Sequence, residues 1–297
     1  MTTHELEILA PAKVNLILSV LGRRADGYHD IVSVMQKIDL ADRVHLRLHG
    51  SGLSLRCPSS NLPEDSDNLV WKAARLFFDQ TLVADTVQIT LHKKIPVAAG
   101  LGGGSSDAAA VLLGLNTLCD AGLEEDALLA MAARLGADVP FFVTGMNTAL
   151  ATGTGTDLQP ITGAEGYWLA LVNPGISVST RWVYENLILT SEDNPYRLSG
   201  YSHVTEYAAS LLEAAFCRES SEHPLFNDLE RVTVGRHPVI GTIKEQLLKD
   251  GAFAALMSGS GPTVFGLFRQ LELAKNSCQK FKQLYEDVFL VSPLSNA

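Results

Sequence analysis

Apolar and polar positions in the first third of the chain follow the pattern of β-structure. Residues 14–21 (VNLILSVL) form a continuous apolar run, and 31–40 (IVSVMQKIDL) carry the β-branched content of a strand. In 42–49 (DRVHLRLH), Val44, Leu46 and Leu48 alternate with His45, Arg47 and His49, the period of a half-buried strand. The intervening RRADGYHD contains Asp-Gly and reads as a loop. The period then lengthens. Leu69, Ala73, Leu76 and Phe77 within 68–80 are spaced for a helix, with Asp67 placed to cap it. A strand is expected at 86–92. After the glycine-rich segment GLGGGSSDAAA, an apolar helix runs to near Gly122, with Ser105, Ser106 and Asp107 able to cap its start. EEDALLAMAARLG gives a second helix that closes before Gly136.

The Gly/Thr-rich stretch 152–166 reads as a loop or hinge and places a domain boundary near 160, giving domains 1–160 and 161–297. Beyond it we expect a strand at 167–172 and helices around 179–188, 203–216 and 239–249. Strands at 253–257 and 263–268 flank the turn MSGSGPT, and a helix follows at 270–284. Strand–turn–strand–helix runs of this kind suit an α+β sandwich.

Length agrees with that division, since 297 residues exceed the roughly 150 of one domain. Hydrophobic residues at 46% against 19% charged can bury a sizeable core. The net charge of −10 argues against nucleic acid or an anionic membrane as a partner, while a local cationic pocket for a small anion stays compatible. The four cysteines are scattered without a CxxC pair, so no disulfide framework or zinc site is expected and a reducing cytosol suits the chain. The N-terminus does not read as a signal peptide, and no apolar run approaches the roughly 18 residues of a membrane span. The expectation is a cytoplasmic, two-domain protein.

Chemistry concentrates in a few segments. Glycines 100, 102, 103 and 104, followed by Ser105 and Ser106 at a helix start, suit an anion. Without Cβ atoms the backbone can wrap it, and the helix end offers unpaired N–H groups and a positive dipole. The plainer reading is a flexible turn before a helix; four glycines in five positions favour the cradle. It is neither a Walker A loop nor GxGxxG. Lys13 is either a strand-edge lysine with its ammonium in water or a functional cation. Asp138, in GADVPFF, is either a helix or turn cap or an acid–base group. Tyr28 offers an aromatic face and His29 a donor and an acceptor. Tyr184 fits a helix-face core position as well as a stacking one, and Asn68 fits the start of a helix. SGSGPT at 258–263 reads as a hairpin turn that can brace the glycine loop or face phosphates.

These motifs resemble those of the galactokinase, homoserine kinase, mevalonate kinase and phosphomevalonate kinase superfamily. Its phosphate loop has the form Pro-x-x-x-Gly-Leu-Gly-Ser-Ser-Ala; here Pro96-Val-Ala-Ala-Gly-Leu-Gly-Gly-Gly-Ser-Ser-Asp-Ala108 inserts two glycines. The longer loop is similar to that of one branch, the 4-diphosphocytidyl-2-C-methyl-D-erythritol kinases. APAKVNLIL at 10–18, GRRADGYHDIVSVMQKIDLAD at 22–42, LGADVPFF at 135–142 and MSGSGPTVF at 257–265 resemble further motifs in the same order.

The resemblance implies a kinase using ATP with Mg2+, built from an N-terminal domain like that of ribosomal protein S5 and a C-terminal ferredoxin-like domain, with substrate in a cleft between them. It implies that Lys13 and Asp138 meet there, Asp138 as base and Lys13 stabilising charge. Pro96, Val97, Ala98, Ala99, Gly100, Leu101, Gly102, Gly103, Gly104, Ser105 and Ser106 would surround the ATP phosphates, with Asn68 near adenine. Ser105 and Ser106 are candidate magnesium ligands. His29 would read cytosine, with Tyr28 and Tyr184 packing on the nucleoside and Asn15 adding polar contacts. The rivals are a kinase of another small alcohol, such as homoserine or mevalonate, and a non-catalytic nucleotide-binding regulator. The sequence leaves the oligomeric state open.

Overall fold

The computed structural model describes residues 5–48, 52–58, 60–81, 83, 86–189, 204–216 and 225–295. His49, His203 and Cys217, which fall within the expectations above, lie outside the described residues. The chain forms two compact units woven from non-consecutive segments. The first contains Met1–Ala12, Leu40–Val97 and Gly102–Met146; the second contains Lys13–Asp39, Ala98–Leu101 and Asn147–Ala297.

Strands β1 (Glu5–Arg23) and β2 (His29–Leu48) pair with each other and are longer than their apolar runs suggest. The early part of β1 carries Pro11 and exposed Glu5 and Glu7, residues at home on an edge strand but weak as strand signals. Only 24–28 of the expected loop lies outside the two strands.

In the first unit, Arg43–Leu48 of β2 pairs antiparallel with β4 (Thr86–His92), and β3 (Gly52–Arg56) pairs parallel with β4. Helix α1 (Leu69–Gln80) packs on α2 (Gly103–Leu118), which also packs on α3 (Glu125–Leu135) and α4 (Val139–Val143). Phe77, Phe141, Leu46 and Ile89 are fully buried. The N-cap of α1 is Asn68 rather than Asp67. The Asn68 amide oxygen accepts from Val70 N at 2.9 Å, a reach that one position earlier does not give.

In the second unit, Ser33–Gln36 of β2 pairs antiparallel with β5 (Thr148–Thr152), which pairs with β6 (Asp157–Pro160). The expected loop at 152–166 thus contains a four-residue strand, returned by a turn with Gly153 and Gly155 in the left-handed region. The rest runs β7 (Trp168–Asn173), α5 (Thr180–Glu185), α6 (Val204–Phe216), α7 (Glu230–Arg236), α8 (Val239–Lys249), β8 (Ala254–Met257), β9 (Val264–Phe268), α9 (Leu271–Phe281) and β10 (Asp287–Val291). The sheet order is β10-β7-β9-β8, with antiparallel neighbours throughout. Strands and helices in this succession make the split β-α-β pattern of a ferredoxin-like sandwich. Its core includes Val172, Leu247, Met257, Phe268 and Phe281.

Candidate functional site

The glycine loop begins with an alternating backbone. Ala98, Gly100 and Gly102 have φ of 53°, 76° and 71°. Left-handed residues at every second position turn successive N–H groups into one concavity, a shape that receives anions. Ala98 adopts this at a cost of about 1–2 kcal/mol that glycine would not incur. Ala99 and Leu101 bury their side chains, whereas Val97 is exposed, so Ala99 and Leu101 can offer a nucleotide only their backbone.

A turn at 258–263 braces this part of the loop within the second unit. Ser258 Oγ donates to Gly100 O at 2.8 Å and Thr263 N donates to Ala99 O at 3.3 Å. The approach is close enough that a Cβ on Gly100 would lie 2.1 Å from Ser258 O. The turn is itself pinned: Asn227 Nδ2 donates to Met257 O and Gly259 O, both at 2.7 Å, and Thr233 Oγ donates to Ser260 O at 3.2 Å.

In the first unit, α2 starts at Gly103 with Gly102 as N-cap and no side-chain cap. The expected capping by Ser105, Ser106 and Asp107 does not occur, because the helix begins before them and carries all three inside its first turns. The leading N–H groups of α2 therefore have no side-chain acceptor, leaving them for an anion. Ser106 Oγ and Asp107 Oδ1 are buried without a hydrogen-bond partner. These are hard oxygen donors, and a magnesium ion carried by ATP phosphates commonly takes only one or two from the protein. Ser106 thus fits such an ion. Among the described residues no cluster of three His, Cys, Asp or Glu could hold a metal.

Sequence reasoning missed what fastens this helix start. Lys93 Nζ bonds the carboxylates of Asp42 and, at 2.7 Å, Asp107, with all three side chains almost fully buried. Asp42 Oδ1 also accepts from Lys94 N at 2.5 Å and Ile95 N at 2.8 Å. Burial pushes the Asp107 carboxyl up to about 7 against the pull of Lys93. Burial alone would lower Lys93, but the two carboxylates hold it above its ordinary value. The signal was the first of the two lysines ahead of Ile95-Pro96, where the loop opens; its partners are distant in sequence.

Lys13 and Asn15 lie in the second unit, 4% and 3% exposed. Lys13 is therefore not a strand-edge lysine in water. Lys13 Nζ donates to Asn15 Oδ1 at 2.6 Å, and Lys13 N donates to Leu101 O at 2.9 Å. Asp138, half-buried in the first unit, precedes α4 at its N-cap position but makes no side-chain capping bond. Asn68 caps α1 with its oxygen and donates through Nδ2 to Pro63 O at 2.8 Å, the helix-start role foreseen for it.

His29 and Tyr184 stack at 5.0 Å between centroids with a 30° interplanar angle. Tyr184 also packs against the second unit's core, the helix-face role open to it in the sequence, and the ring it stacks on here is His29. Burial, then Arg23, pushes His29 below its ordinary pKa, keeping the imidazole neutral with one donor and one acceptor. Tyr28, 67% exposed, sits on a tight loop: its N–H donates to Asp26 Oδ1 at 3.0 Å, and Arg24 pairs with Asp26 and Asp30.

Residues 68–146 match the GHMP kinases N terminal domain, and residues 210–287 match the GHMP kinases C terminal domain. The chain belongs to the GHMP kinases. Within these ATP-dependent small-molecule kinases it falls in the 4-diphosphocytidyl-2-C-methyl-D-erythritol kinase branch. It is 46% identical to the kinase of that name from Pelobacter propionicus, over 91% of this chain and 92% of the relative. Identity to the one from Geobacter metallireducens is 47%, over 92% and 93%. A crystal structure of 4-(cytidine 5'-diphospho)-2C-methyl-D-erythritol kinase superposes on this GHMP kinase with a TM-score of 0.82 at 35% identity, covering 98% of this chain and all (100%) of that one. Homoserine kinase from Cytophaga hutchinsonii shares the fold, with a TM-score of 0.74 at 20% identity over 99% and 97%. No helix among the described residues is long and apolar enough to cross a membrane.

Proposed function

We propose that the protein transfers the γ-phosphoryl group of ATP to the 2-hydroxyl of 4-diphosphocytidyl-2-C-methyl-D-erythritol, giving the 2-phosphate and ADP, in the non-mevalonate route to isoprenoid precursors. The observation that carries the substrate assignment is the stack of a neutral His29 on Tyr184. A neutral imidazole can both donate to and accept from a cytosine edge, and Tyr184 and the exposed Tyr28 supply faces for the base. Homoserine or mevalonate would leave these groups without a purpose. The identity to relatives bearing the cytidyl kinase name, over more than nine-tenths of both chains, supports the same assignment.

The Asp138 carboxylate takes the proton of the 2-hydroxyl as its oxygen bonds the γ-phosphorus, and the bond to the bridging oxygen of ADP breaks. The Lys13 ammonium stabilises the charge on the moving phosphoryl group. The concave backbone at 98–102 and the open N–H groups of α2 bind the ATP phosphates, and Ser105 and Ser106 are the oxygens that would hold magnesium. When bound, the ion neutralises phosphate charge and aids orientation. Asn15 orients Lys13 and adds polar contact to the substrate, and we assign Asn68, through the loop it fastens to the start of α1, to the adenine end of the nucleotide. Along the chain we assign the two domains to 1–160 and 161–297, each of which holds one family match, although residues 13–39, 98–101 and 147–160 of the first stretch pack in the second compact unit. A cytoplasmic location follows from the ATP supply that the reaction needs.

The test is magnesium-dependent ADP release with the cytidyl substrate, run beside homoserine and mevalonate, with Asp138→Asn as control. Release with the cytidyl substrate alone, reduced at least about 100-fold by Asp138→Asn, is the expected outcome. Turnover of homoserine or mevalonate instead would overturn the roles of Tyr28 and His29. ATP binding without release from any substrate would leave a regulator.

A further inference from the structure

From Lys13 a short buried chain of hydrogen bonds runs back to the main chain of β1, and its middle member, Ser33, has no part in the phosphoryl chemistry or substrate recognition described above. Lys13 Nζ donates to Asn15 Oδ1 at 2.6 Å, Asn15 Nδ2 donates to Ser33 Oγ at 2.7 Å, and Ser33 Oγ donates to Ile17 O at 2.9 Å. Lys13, Asn15 and Ser33 are all buried, at 4%, 3% and 1% exposure, and all belong to the second unit. We propose that Ser33 is a positioning residue that sets the orientation of the Asn15 amide and through it the placement of Lys13. This inference rests on the reading of Lys13 as the charge-stabilising group.

A main-chain carbonyl can only accept, so Ile17 O claims the single proton of the Ser33 hydroxyl. Ser33 then has only lone pairs to offer Asn15, which must answer with its Nδ2 protons. That leaves Oδ1 facing Lys13, an ammonium that can only donate. Every link is fixed by the one before it. A flipped Asn15 would oppose lone pair to lone pair at Ser33 and N–H to N–H at Lys13, a double mismatch in a site from which water is largely excluded. Ser33 sits on β2, opposite Ala151 of β5, so the polarity of the site is anchored in sheet rather than in loop. Without the hydroxyl, Asn15 loses the partner that distinguishes its two ends, and Lys13 loses a fixed acceptor.

The experiment is a set of single-turnover and steady-state measurements with ATP and the cytidyl substrate on the full chain. Ser33→Ala, Ser33→Thr and Lys13→Met are compared, together with the Ser33→Ala/Lys13→Met double variant. Ser33→Ala is expected to lower the phosphoryl-transfer rate about tenfold or more, while Ser33→Thr, which keeps the hydroxyl, recovers most of it. In the Lys13→Met background, Ser33→Ala should change the remaining rate by less than about twofold, because its effect travels through Lys13. An equal loss in both backgrounds would make Ser33 merely structural and overturn the proposal, as would a Ser33→Ala rate matching that of the parent. If Ser33→Ala does not fold, Ser33→Cys, of similar shape but a poor donor, must show the same loss. Full activity of Lys13→Met would instead overturn the reading of Lys13, and is scored on that variant alone.

Discussion

The two ends of the glycine loop are fastened by different chemistry. Residues 98–101, in the second unit, are held by neutral bonds from the 258–263 turn and by a backbone approach that only glycine at position 100 allows. Residues 102–107, in the first unit, are held by charge, with Lys93 locked between Asp42 and Asp107. A neutral bond is worth about 0.5–1.5 kcal/mol net and can be lost singly. A buried charge left without its partner costs about 3–5 kcal/mol. The first end therefore depends on shape, which a single methyl group can spoil. The second depends on charge balance, and losing one partner leaves an uncompensated buried charge. Mutations at the two ends should separate accordingly, one chiefly affecting catalysis and the other chiefly affecting folding.

The sharpest way to break that comparison is Lys93→Met. It leaves two carboxylates buried with no cation between them, and denaturant titration should show a loss of about 3–5 kcal/mol. A loss below about 1 kcal/mol would mean that the charged end is as dispensable as a surface pair. Next in size is Gly100→Ala at the other end. The added Cβ meets Ser258 O at 2.1 Å, and the left-handed backbone adds strain, so the loop must leave its brace. We expect kcat/KM to fall about 100-fold, with a stability change several times smaller than that of Lys93→Met. If Gly100→Ala mainly unfolded the protein and Lys93→Met mainly slowed it, the division between shape and charge would be reversed.

How far this was legible in sequence differs between the two ends in the same way. The neutral end announces itself, because SGSGPT is a local motif whose bracing role could be foreseen. The boundaries of α8 and α9 were also close to expectation because their helical period runs over about three turns, and those of β8 and β9 because the glycine-rich turn between two apolar runs marks both. The charged end is silent. Asp42, Lys93 and Asp107 come from three distant segments, and each looks like an ordinary surface charge until the fold buries it. Ser33 is silent for the same reason, a small polar residue within an apolar strand whose partner arrives from β1. Short elements escaped too. The five residues of α4 and the four of β6 are too few to establish a period, and Pro11 masks the early part of β1. The capping of α2 was misread because serines usually cap, whereas here a left-handed glycine does so and frees the helix end for an anion.

The smallest expected effect sharpens the comparison at the second unit's substrate end. Burial keeps His29 neutral there, with its pKa below the ordinary 6.5. A histidine depressed in this way contributes stability above its ordinary value that is lost as pH falls through the lowered one. Recognition should follow the same sign, because protonation removes the acceptor that the neutral ring offers. KM for the cytidyl substrate should be flat above pH 6.5 and rise by a few-fold on acidification below the lowered pKa, about the worth of one hydrogen bond. Whatever pH dependence KM for ATP shows should be unchanged in His29→Gln, because His29 is not part of the phosphate site. His29→Gln, which keeps a donor and an acceptor without a titrating ring, should raise KM modestly and flatten the profile. A profile that persists in His29→Gln would move the titration elsewhere and leave His29 with packing on Tyr184 as its only role.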